Sequence, residues 1–279
     1  MDRGDGQELT SDDAKEIYKN ATDVIGEGSR NLVFKVRYNE KDYVLRVSKP
    51  VNVANRNKFI KDTETYIKVM NLPHISQYII PLLYAKAFDK VPEMRDAYQT
   101  GENITIYKYI AGKSLDAFNP NELYYNDDRI SASNIMSQIT AALRALHKAG
   151  FIHRDIKPDN IYITNEGRVY LLDLDHICDL SIPDDCKNLN AELISTPGFA
   201  RYDNERRIRP YDFTIKDDLF AYGKILENKL RTVSKDKKDR IEVVGNRLTF
   251  TNKGGRYKKT RRNKMKRINR KPTRKNRVG

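Results

Sequence analysis

The residue types that could carry out chemistry are concentrated in residues 153–160, which read HRDIKPDN. This segment places a carboxylate at Asp155, a cation at Lys157 and an amide at Asn160, directly before an apolar run. Asp173 and Asp175 add two further carboxylates, thirteen and fifteen residues after Asn160. A carboxylate, a cation and an amide this close together are groups that can accept a proton, stabilise negative charge and supply oxygen ligands to a metal.

The elements predicted around this segment form a small β-rich part followed by a larger helical part. The predicted strands cover residues 32–38, 43–47, 79–83 and 104–109, and the predicted helices cover 57–70, the stripe from Ile135 to Leu146, and 218–230. Gly150 is expected to end the middle helix, just before the polar segment. A ligand cleft between two such parts is the default expectation.

With these motifs in place, the sequence resembles the protein kinase superfamily of the Ser/Thr type, whose catalytic loop has the form of residues 153–160. The resemblance implies a bilobal α+β fold, with a small β-rich N-lobe and a larger helical C-lobe that is truncated here. It implies that Asp155 accepts the substrate hydroxyl proton and that Lys157 stabilises charge on the transferred group. Asn160 and Asp173 would hold Mg²⁺, and Arg154 would pair with a phosphate on the following segment.

A glycine-rich segment near the N-terminus is the expected ATP-binding loop. Residues 25–33 read IGEGSRNLV and match Gly-x-Gly-x-x-Gly-x-Val, except that Asn31 stands at the third glycine. Asn31 is a mild departure because asparagine tolerates a positive φ better than most residues. By resemblance, the residues that border the nucleotide are Ile25, Gly26, Gly28, Val33, Val44, the gatekeeper Tyr107 and the hinge residue Tyr109.

Two positions depart from the kinase pattern at the centre of the expected site. Arg46 stands where the third strand normally carries a lysine, and Glu64 in the next helix is its expected ion-pair partner. Arginine and lysine are not interchangeable where a cation aligns phosphates. The usual Asp-Phe-Gly is Asp173-Leu174-Asp175, so a carboxylate replaces the glycine.

The resemblance continues after residue 190 and then runs out near residue 230. Thr196 is expected to bridge Asp155 and Lys157, and Asp218 is expected to hold the backbone of the catalytic loop by hydrogen bonds. Cys178 and Cys186 are expected to be free thiols in a reducing compartment, because two cysteines cannot build a disulfide framework.

The positive charge of the chain lies at its C-terminal end. Fourteen of the 52 Lys and Arg residues lie in residues 253–279, which contain no Asp or Glu, whereas the other 252 residues carry 38 residues of each sign. Such a tail is expected to be disordered and to bind a polyanion such as nucleic acid or to act as a targeting signal. The alternative is a merely solubilising end. No stretch is apolar enough for a membrane span, and no signal peptide is visible.

The predicted organisation is an extension at 1–20, a kinase N-lobe at 21–109, a shortened C-lobe at 110–252 and the basic tail at 253–279. The predicted function is transfer of the γ-phosphoryl group of Mg-ATP to a Ser or Thr hydroxyl of a protein. Two alternatives stay open: a pseudokinase that binds nucleotide or a partner without turnover, and a kinase for small molecules. The compact chain is similar to kinases of large DNA viruses, which implies a cytoplasmic, nuclear or virion location in a host cell.

Overall fold

A computed structural model gives the positions of most residues before the basic tail. The described residues are 9–28, 31–48, 53–87, 103–119, 122–125, 130–188, 196, 198–199, 211–229, 239–244 and 247–252. They form two large hydrophobic cores, one under an N-terminal sheet and one around the C-terminal helices, and a small third cluster of Ile152, Cys178 and Phe213. The α+β kinase-like fold predicted from the sequence is confirmed.

The N-lobe is an antiparallel sheet of five strands in the spatial order β1-β2-β3-β5-β4. Its strands are β1 (Asp23–Glu27), β2 (Asn31–Tyr38), β3 (Lys41–Ser48), β4 (Leu82–Ala87) and β5 (Asn103–Lys108). Side chains alternate across β2 and β3, so that Phe34 and Leu45 are buried while Val33 and Val44 lie half-buried on the opposite face. This alternation decides which residues face the C-lobe.

Helix α1 (Ser11–Lys19) covers the buried face of this sheet. Thr10 and Asp13 form a capping box, in which each side chain accepts a hydrogen bond from the other residue's backbone N–H. Ala14 and Ile17 are fully buried against the sheet. The segment predicted as an extension therefore contributes side chains to the N-lobe core.

Helix α2 (Val53–Met70) follows β3 and begins four residues before the predicted start. Its buried residues Tyr66 and Val69 belong to the C-terminal core, so this helix connects the two lobes. The strand predicted at 79–83 is shifted, because Ser76–Tyr78 form a 3₁₀ turn and β4 begins at Leu82.

The C-lobe is built around α4 (Ala132–Lys148), which Ser131 caps and which buries one apolar stripe. Its other helices are α3 (Glu122–Tyr125) and α5 (Ile215–Asn228). Its strands are β6 (Gly112–Ser114), β7 (Phe151–Ile152), β8 (Ile161–Thr164), β9 (Val169–Leu171), β10 (Cys178–Asp179), β11 (Lys187–Asn188), β12 (Tyr211–Asp212), β13 (Asp239–Val244) and β14 (Arg247–Asn252). None of the helices in the described ranges is long and apolar enough to cross a bilayer.

The prediction of free thiols is wrong in this structure, because Cys178 and Cys186 form a disulfide. The chain turns back after β10 and brings the two Cα atoms to 5.3 Å, a normal separation for a bridge. A short sequence separation of eight residues gave no signal for this, since the pairing depends on the turn between them.

Candidate active site

The centre of the site is the carboxylate of Asp155, which lies between a lysine, an asparagine and a threonine. Its Oδ2 atom is 2.9 Å from Lys157 Nζ and accepts a 3.0 Å hydrogen bond from Asn160 Nδ2. Its Oδ1 atom accepts hydrogen bonds from the Thr196 hydroxyl at 2.7 Å and the Thr196 backbone N–H at 3.1 Å. Lys157 also donates to the Thr196 hydroxyl, so the predicted bridge by Thr196 is confirmed.

These contacts determine the charge state of Asp155, whose side chain is 5% exposed. Burial acts to raise the pKa of this carboxyl, but the hydrogen bonds from Lys157 and Thr196 outweigh it and leave the pKa below its usual value. Asp155 is therefore an ionised acceptor at neutral pH, held in one orientation by its partners.

A second buried carboxylate, Asp218 in α5, binds the backbone of the catalytic loop. It accepts hydrogen bonds from the backbone N–H groups of His153 at 2.8 Å and Arg154 at 2.9 Å, which confirms the predicted role. His147 Nε2 lies 2.8 Å from the same carboxylate. Burial acts to raise the pKa of Asp218, yet the contact with His147 and the neighbouring donors hold it below its usual value. The ionised form thus binds the loop backbone.

The two candidate metal ligands are connected through the backbone. The Asn160 carbonyl accepts a 2.9 Å hydrogen bond from Leu172 N–H, which places the residue before Asp173 beside the catalytic loop. Asn160 uses Nδ2 to donate to Asp155, which directs its amide oxygen elsewhere, and about a third of the Asp173 side chain is exposed. A carboxylate and an amide oxygen are the donors that Mg²⁺ prefers, so the residues present fit this ion.

Two residues of the site have a left-handed backbone that side chains rarely adopt. Arg154 has a φ of 71° and Asp173 a φ of 56°. Such conformations cost about 1–3 kcal/mol each and persist where the surroundings fix them. Asp218 fixes the first by accepting from Arg154 N–H, and the second redirects the chain directly after β9.

The predicted nucleotide residues share one face of the N-lobe sheet. Val33 pairs with Arg46 across β2 and β3, and Val44 pairs with Tyr107 across β3 and β5. Cross-strand partners point to the same side, so these four side chains face the cleft rather than the N-lobe core. The Tyr107 ring packs 5.7 Å from the ring of Tyr66 at the back of this face.

The remaining predicted nucleotide residues lie on β1, in the turn after it and just after β5. Ile25 and Gly26 are on β1, where Gly26 pairs with Val33, and Gly28 N–H donates to the Asn31 carbonyl at 2.9 Å. Tyr109 follows β5, and Lys35 lies over its ring at 4.2 Å from the centroid. Ser29 and Arg30, at the tip of the glycine-rich loop, lie outside the described residues.

Arg46 forms an ion pair that the sequence did not suggest. Its guanidinium donates to both carboxylate oxygens of Asp175, at 2.9 Å from Nη1 and by a very short contact from Nη2. Nη2 also lies 3.4 Å from Asp173 Oδ1. Burial acts to raise the pKa of Asp175, but Arg46 outweighs it and holds the pKa below its usual value. The two departures from the kinase pattern are thus in direct contact.

Glu64, the expected partner of Arg46, does not take part in this pair. Its side chain is exposed on α2, and it makes no ion pair with Arg46 within the described part of the chain. The carboxylate of α2 that points toward the site is Asp62, which pairs with Lys58. Lys58 also donates to the Asp175 carbonyl at 2.9 Å. Asp62 lies four residues before the buried Tyr66, and residues four apart share one face of a helix. This spacing could have indicated that Asp62, rather than Glu64, faces inward.

Arg154 contacts the backbone of the segment that follows Asp173. It donates to the carbonyl groups of His176, Ile177 and Asp185. The Asp185 carboxylate pairs with Lys61 of α2, and Asp179 pairs with Lys68 at 2.5 Å. The loop closed by the disulfide therefore makes hydrogen bonds with the catalytic loop and ion pairs with α2. Pairing of Arg154 with a phosphate stays a prediction.

Comparison with known proteins agrees with this geometry. The family model for the protein kinase domain matches residues 19–235 of the chain. The chain is similar to a probable serine/threonine-protein kinase PknB of Corynebacterium glutamicum, with 30% identity over 135 residues, covering 46% of this chain and 20% of that protein. It is also similar to serine/threonine-protein kinase pakC of Dictyostelium discoideum, with 25% identity over 221 residues, covering 77% of this chain and 41% of that protein.

A third relative is serine/threonine-protein kinase greatwall of Canis lupus familiaris, with 25% identity over 178 residues, 63% of this chain and 18% of that protein. The chain thus spans less than half the length of each of these three relatives.

Proposed function

Because this chain belongs to the protein kinase family, we propose that it transfers the γ-phosphoryl group of Mg-ATP to a Ser or Thr hydroxyl of a protein. The observation that carries the proposal is the position of Asp155, held by Lys157, Asn160 and Thr196 beside the strand that leads to Asp173. This arrangement offers an acceptor for a proton, a cation for developing charge and oxygen donors for a metal within one cleft.

Each residue has a role that its contacts support. Asp155 is the ionised acceptor that orients the substrate hydroxyl and takes its proton. Lys157, paired with Asp155 Oδ2, stabilises negative charge on the transferred group. Thr196 fixes the Asp155 carboxylate through two hydrogen bonds, so that the orientation is set before a substrate binds.

Asn160 and Asp173 would hold Mg²⁺, which when bound neutralises charge on the phosphates. Val33, Val44 and Tyr107 would border the base of the nucleotide on the sheet face, with Ile25, Gly26 and Gly28 above it and Tyr109 at the hinge. Arg46 would supply the cation that aligns the phosphates.

The pseudokinase alternative is favoured by one observation, the contact of Arg46 with Asp173. A guanidinium beside a metal-binding carboxylate competes with the metal for that charge. A kinase for small molecules is the other alternative, and the carboxylate at Asp175 in place of a glycine favours it.

We further propose that residues 253–279, which lie outside the described residues, bind a polyanion such as nucleic acid through their fourteen Lys and Arg residues. The viral source and the location in the cytoplasm, nucleus or virion of a host cell also stay proposals, and they rest on the family resemblance.

The test is a transfer assay with γ-labelled ATP, Mg²⁺ and two groups of acceptors: proteins, and small hydroxyl compounds such as sugars and nucleosides. We expect label in protein, recovered as phosphoserine or phosphothreonine after acid hydrolysis, and background label with Asp173→Asn. Label only in the small compounds would contradict the protein substrate. If wild type and Asp173→Asn both give only background label while wild type still binds ATP, the result would support the pseudokinase instead.

A further inference from the structure

At the centre of the site this chain departs from the kinase pattern at Arg46 and at Asp175. They are 129 residues apart in sequence and come from different lobes, yet their side chains meet. Arg46 lies on β3, and Asp175 lies in the 3₁₀ turn Leu174–His176 that follows β9. An arginine where a lysine is expected and a carboxylate where a glycine is expected therefore form one unit.

The geometry of this unit is the two-pronged contact that arginine makes with carboxylates. Two different guanidinium nitrogens donate to the two oxygens of Asp175, whereas Asp173 has a single contact at 3.4 Å. Lysine carries a single ammonium and would not span both oxygens in this way. The Arg46 side chain is 20% exposed and the Asp175 side chain 36%, so the contact is partly shielded from water.

The backbone of Asp175 is itself held in place. Lys58 of α2 donates to its carbonyl, and the same lysine pairs with Asp62. The α2 residue that the sequence assigned to Arg46, Glu64, is exposed. The carboxylate that orients Arg46 is thus supplied by the loop after β9 rather than by α2.

Arg46 is also on the cleft side of the sheet. It pairs across the strands with Val33 and Thr105, on the face that carries Val44 and Tyr107. Under the proposed function, on which this step rests, the phosphates of ATP would lie between this face and Asp173.

We propose that Asp175 is the positioning residue of Arg46 and that the pair sets the affinity of the site for the phosphates of ATP. Asp175 does not touch the nucleotide; it binds both arms of the guanidinium, which keeps a single longer contact with Asp173. Phosphate recognition therefore depends on Asp175 and not on the carboxylate of Glu64.

The test measures the affinity of the full-length chain for Mg-ATP and for adenosine, which lacks phosphates, by titration calorimetry. We expect Asp175→Asn and Arg46→Ala each to weaken ATP binding about tenfold and to leave adenosine within about twofold of wild type. In the Arg46→Ala background, Asp175→Asn should change ATP affinity by less than about twofold, since its partner is already gone. Arg46→Lys, which keeps the charge but loses the two-pronged contact, should fall between wild type and Arg46→Ala.

The matched control is Asp184→Asn, the same change at an exposed carboxylate in the same segment, which pairs with Lys187. It should leave both affinities unchanged, and so should Glu64→Gln. The proposal is overturned if Asp175→Asn binds ATP like wild type, if Glu64→Gln weakens ATP as much as Arg46→Ala, or if adenosine and ATP weaken together. If Asp175→Asn does not fold by thermal melting, Arg46→Lys decides, and wild-type ATP affinity in that variant overturns the proposal.

The binding readout separates this proposal from the proposed function. A wild-type protein that binds ATP without transferring phosphate contradicts the kinase function but leaves the expected losses in the variants as support for the pair. A wild-type protein that binds ATP no more tightly than adenosine overturns the pair.

Discussion

At the scale of single residues, Asp62 is a carboxyl near the site whose pKa is strongly raised. Burial is the main cause, and together with the nearby charge of Asp175 it outweighs Lys58 and raises the pKa of Asp62 to about 6. Its side chain is 21% exposed and lies on the side of α2 that faces Arg154 and Asp175. The folded protein therefore holds a proton there at pH values where the unfolded chain has lost it.

This difference gives stability a definite pH dependence. Between about pH 4 and pH 6 the folded state binds more protons at Asp62 than the unfolded state, so the contribution of this group falls as the pH rises and levels off above pH 6. Asp62→Asn removes the titration. We expect the unfolding free energy of Asp62→Asn minus that of wild type to increase by about 2 kcal/mol from pH 4 to pH 7.

Urea unfolding of the two proteins at several pH values measures that difference and cancels the other titrating groups. A difference that stays constant with pH, or that decreases, would contradict the environment described for Asp62.

Residue types in a fixed local order were predictable from the sequence, whereas contacts between distant segments were predictable only where the family resemblance supplied them, as for Thr196 and Asp218. Asp155, Lys157 and Asn160 lie within six positions, so one loop necessarily brings them together. The partner of Arg46 is instead Asp175, which lies 129 residues further along the chain and contacts Arg46 only through the packing of β3 against the turn after β9. On α2, a difference of two positions separates the exposed Glu64 from the inward Asp62.

At the scale of elements, a disulfide and two ion pairs hold the loop between β10 and β11 in place. The Cys178–Cys186 disulfide closes it, and Asp179 and Asp185 pair with lysines of α2. Cys178 is fully buried beside Ile152. The lysines of these two pairs are more than half exposed, which weakens the ion pairs, so the disulfide is expected to be the main local constraint.

Reduction of this disulfide should lower stability. Closing a loop of this length is worth about 2–3 kcal/mol, which for a chain of this size corresponds to a fall in melting temperature of roughly 5–10 °C. Calorimetric scans with and without dithiothreitol measure the shift. Cys186→Ser serves as the control and should melt at the reduced value under both conditions. Equal melting temperatures for oxidised and reduced wild type would contradict the constraint.

The sequence predicted long, strongly patterned elements better than short ones. The apolar stripe predicted the bounds of α4 to within a few residues, and the turn residues predicted the pairing of β2 with β3 equally well. Strands of two or three residues, such as β7 and β10, form because a neighbouring segment pairs with them, and two residues carry no periodicity of their own.

At the scale of the whole molecule, charge is separated from the fold. Residues 1–252 carry equal numbers of acidic and basic side chains, and the net charge of +14 belongs to residues 253–279. The last described element, the hairpin of β13 and β14, contacts α5 and precedes that tail. Polyanion binding and catalysis are therefore expected to be separable.

Deleting residues 253–279 should abolish salt-sensitive retention on immobilised heparin while leaving the melting temperature within about 2 °C of wild type, since no described side chain is removed. Retention is read from the salt concentration at elution. A truncated chain that elutes at the same salt concentration as the full chain would contradict a role for the tail.

The central claim is that Asp155 is the proton acceptor in a working phosphotransferase site, and the rate of γ-phosphoryl transfer to a protein acceptor tests it most directly. With saturating Mg-ATP, we expect wild type to transfer phosphate and Asp155→Asn to be slower by about 10²–10⁴-fold, with ATP affinity within about twofold of wild type. Transfer by Asp155→Asn at the wild-type rate, or no transfer by wild type above that variant, would contradict the account.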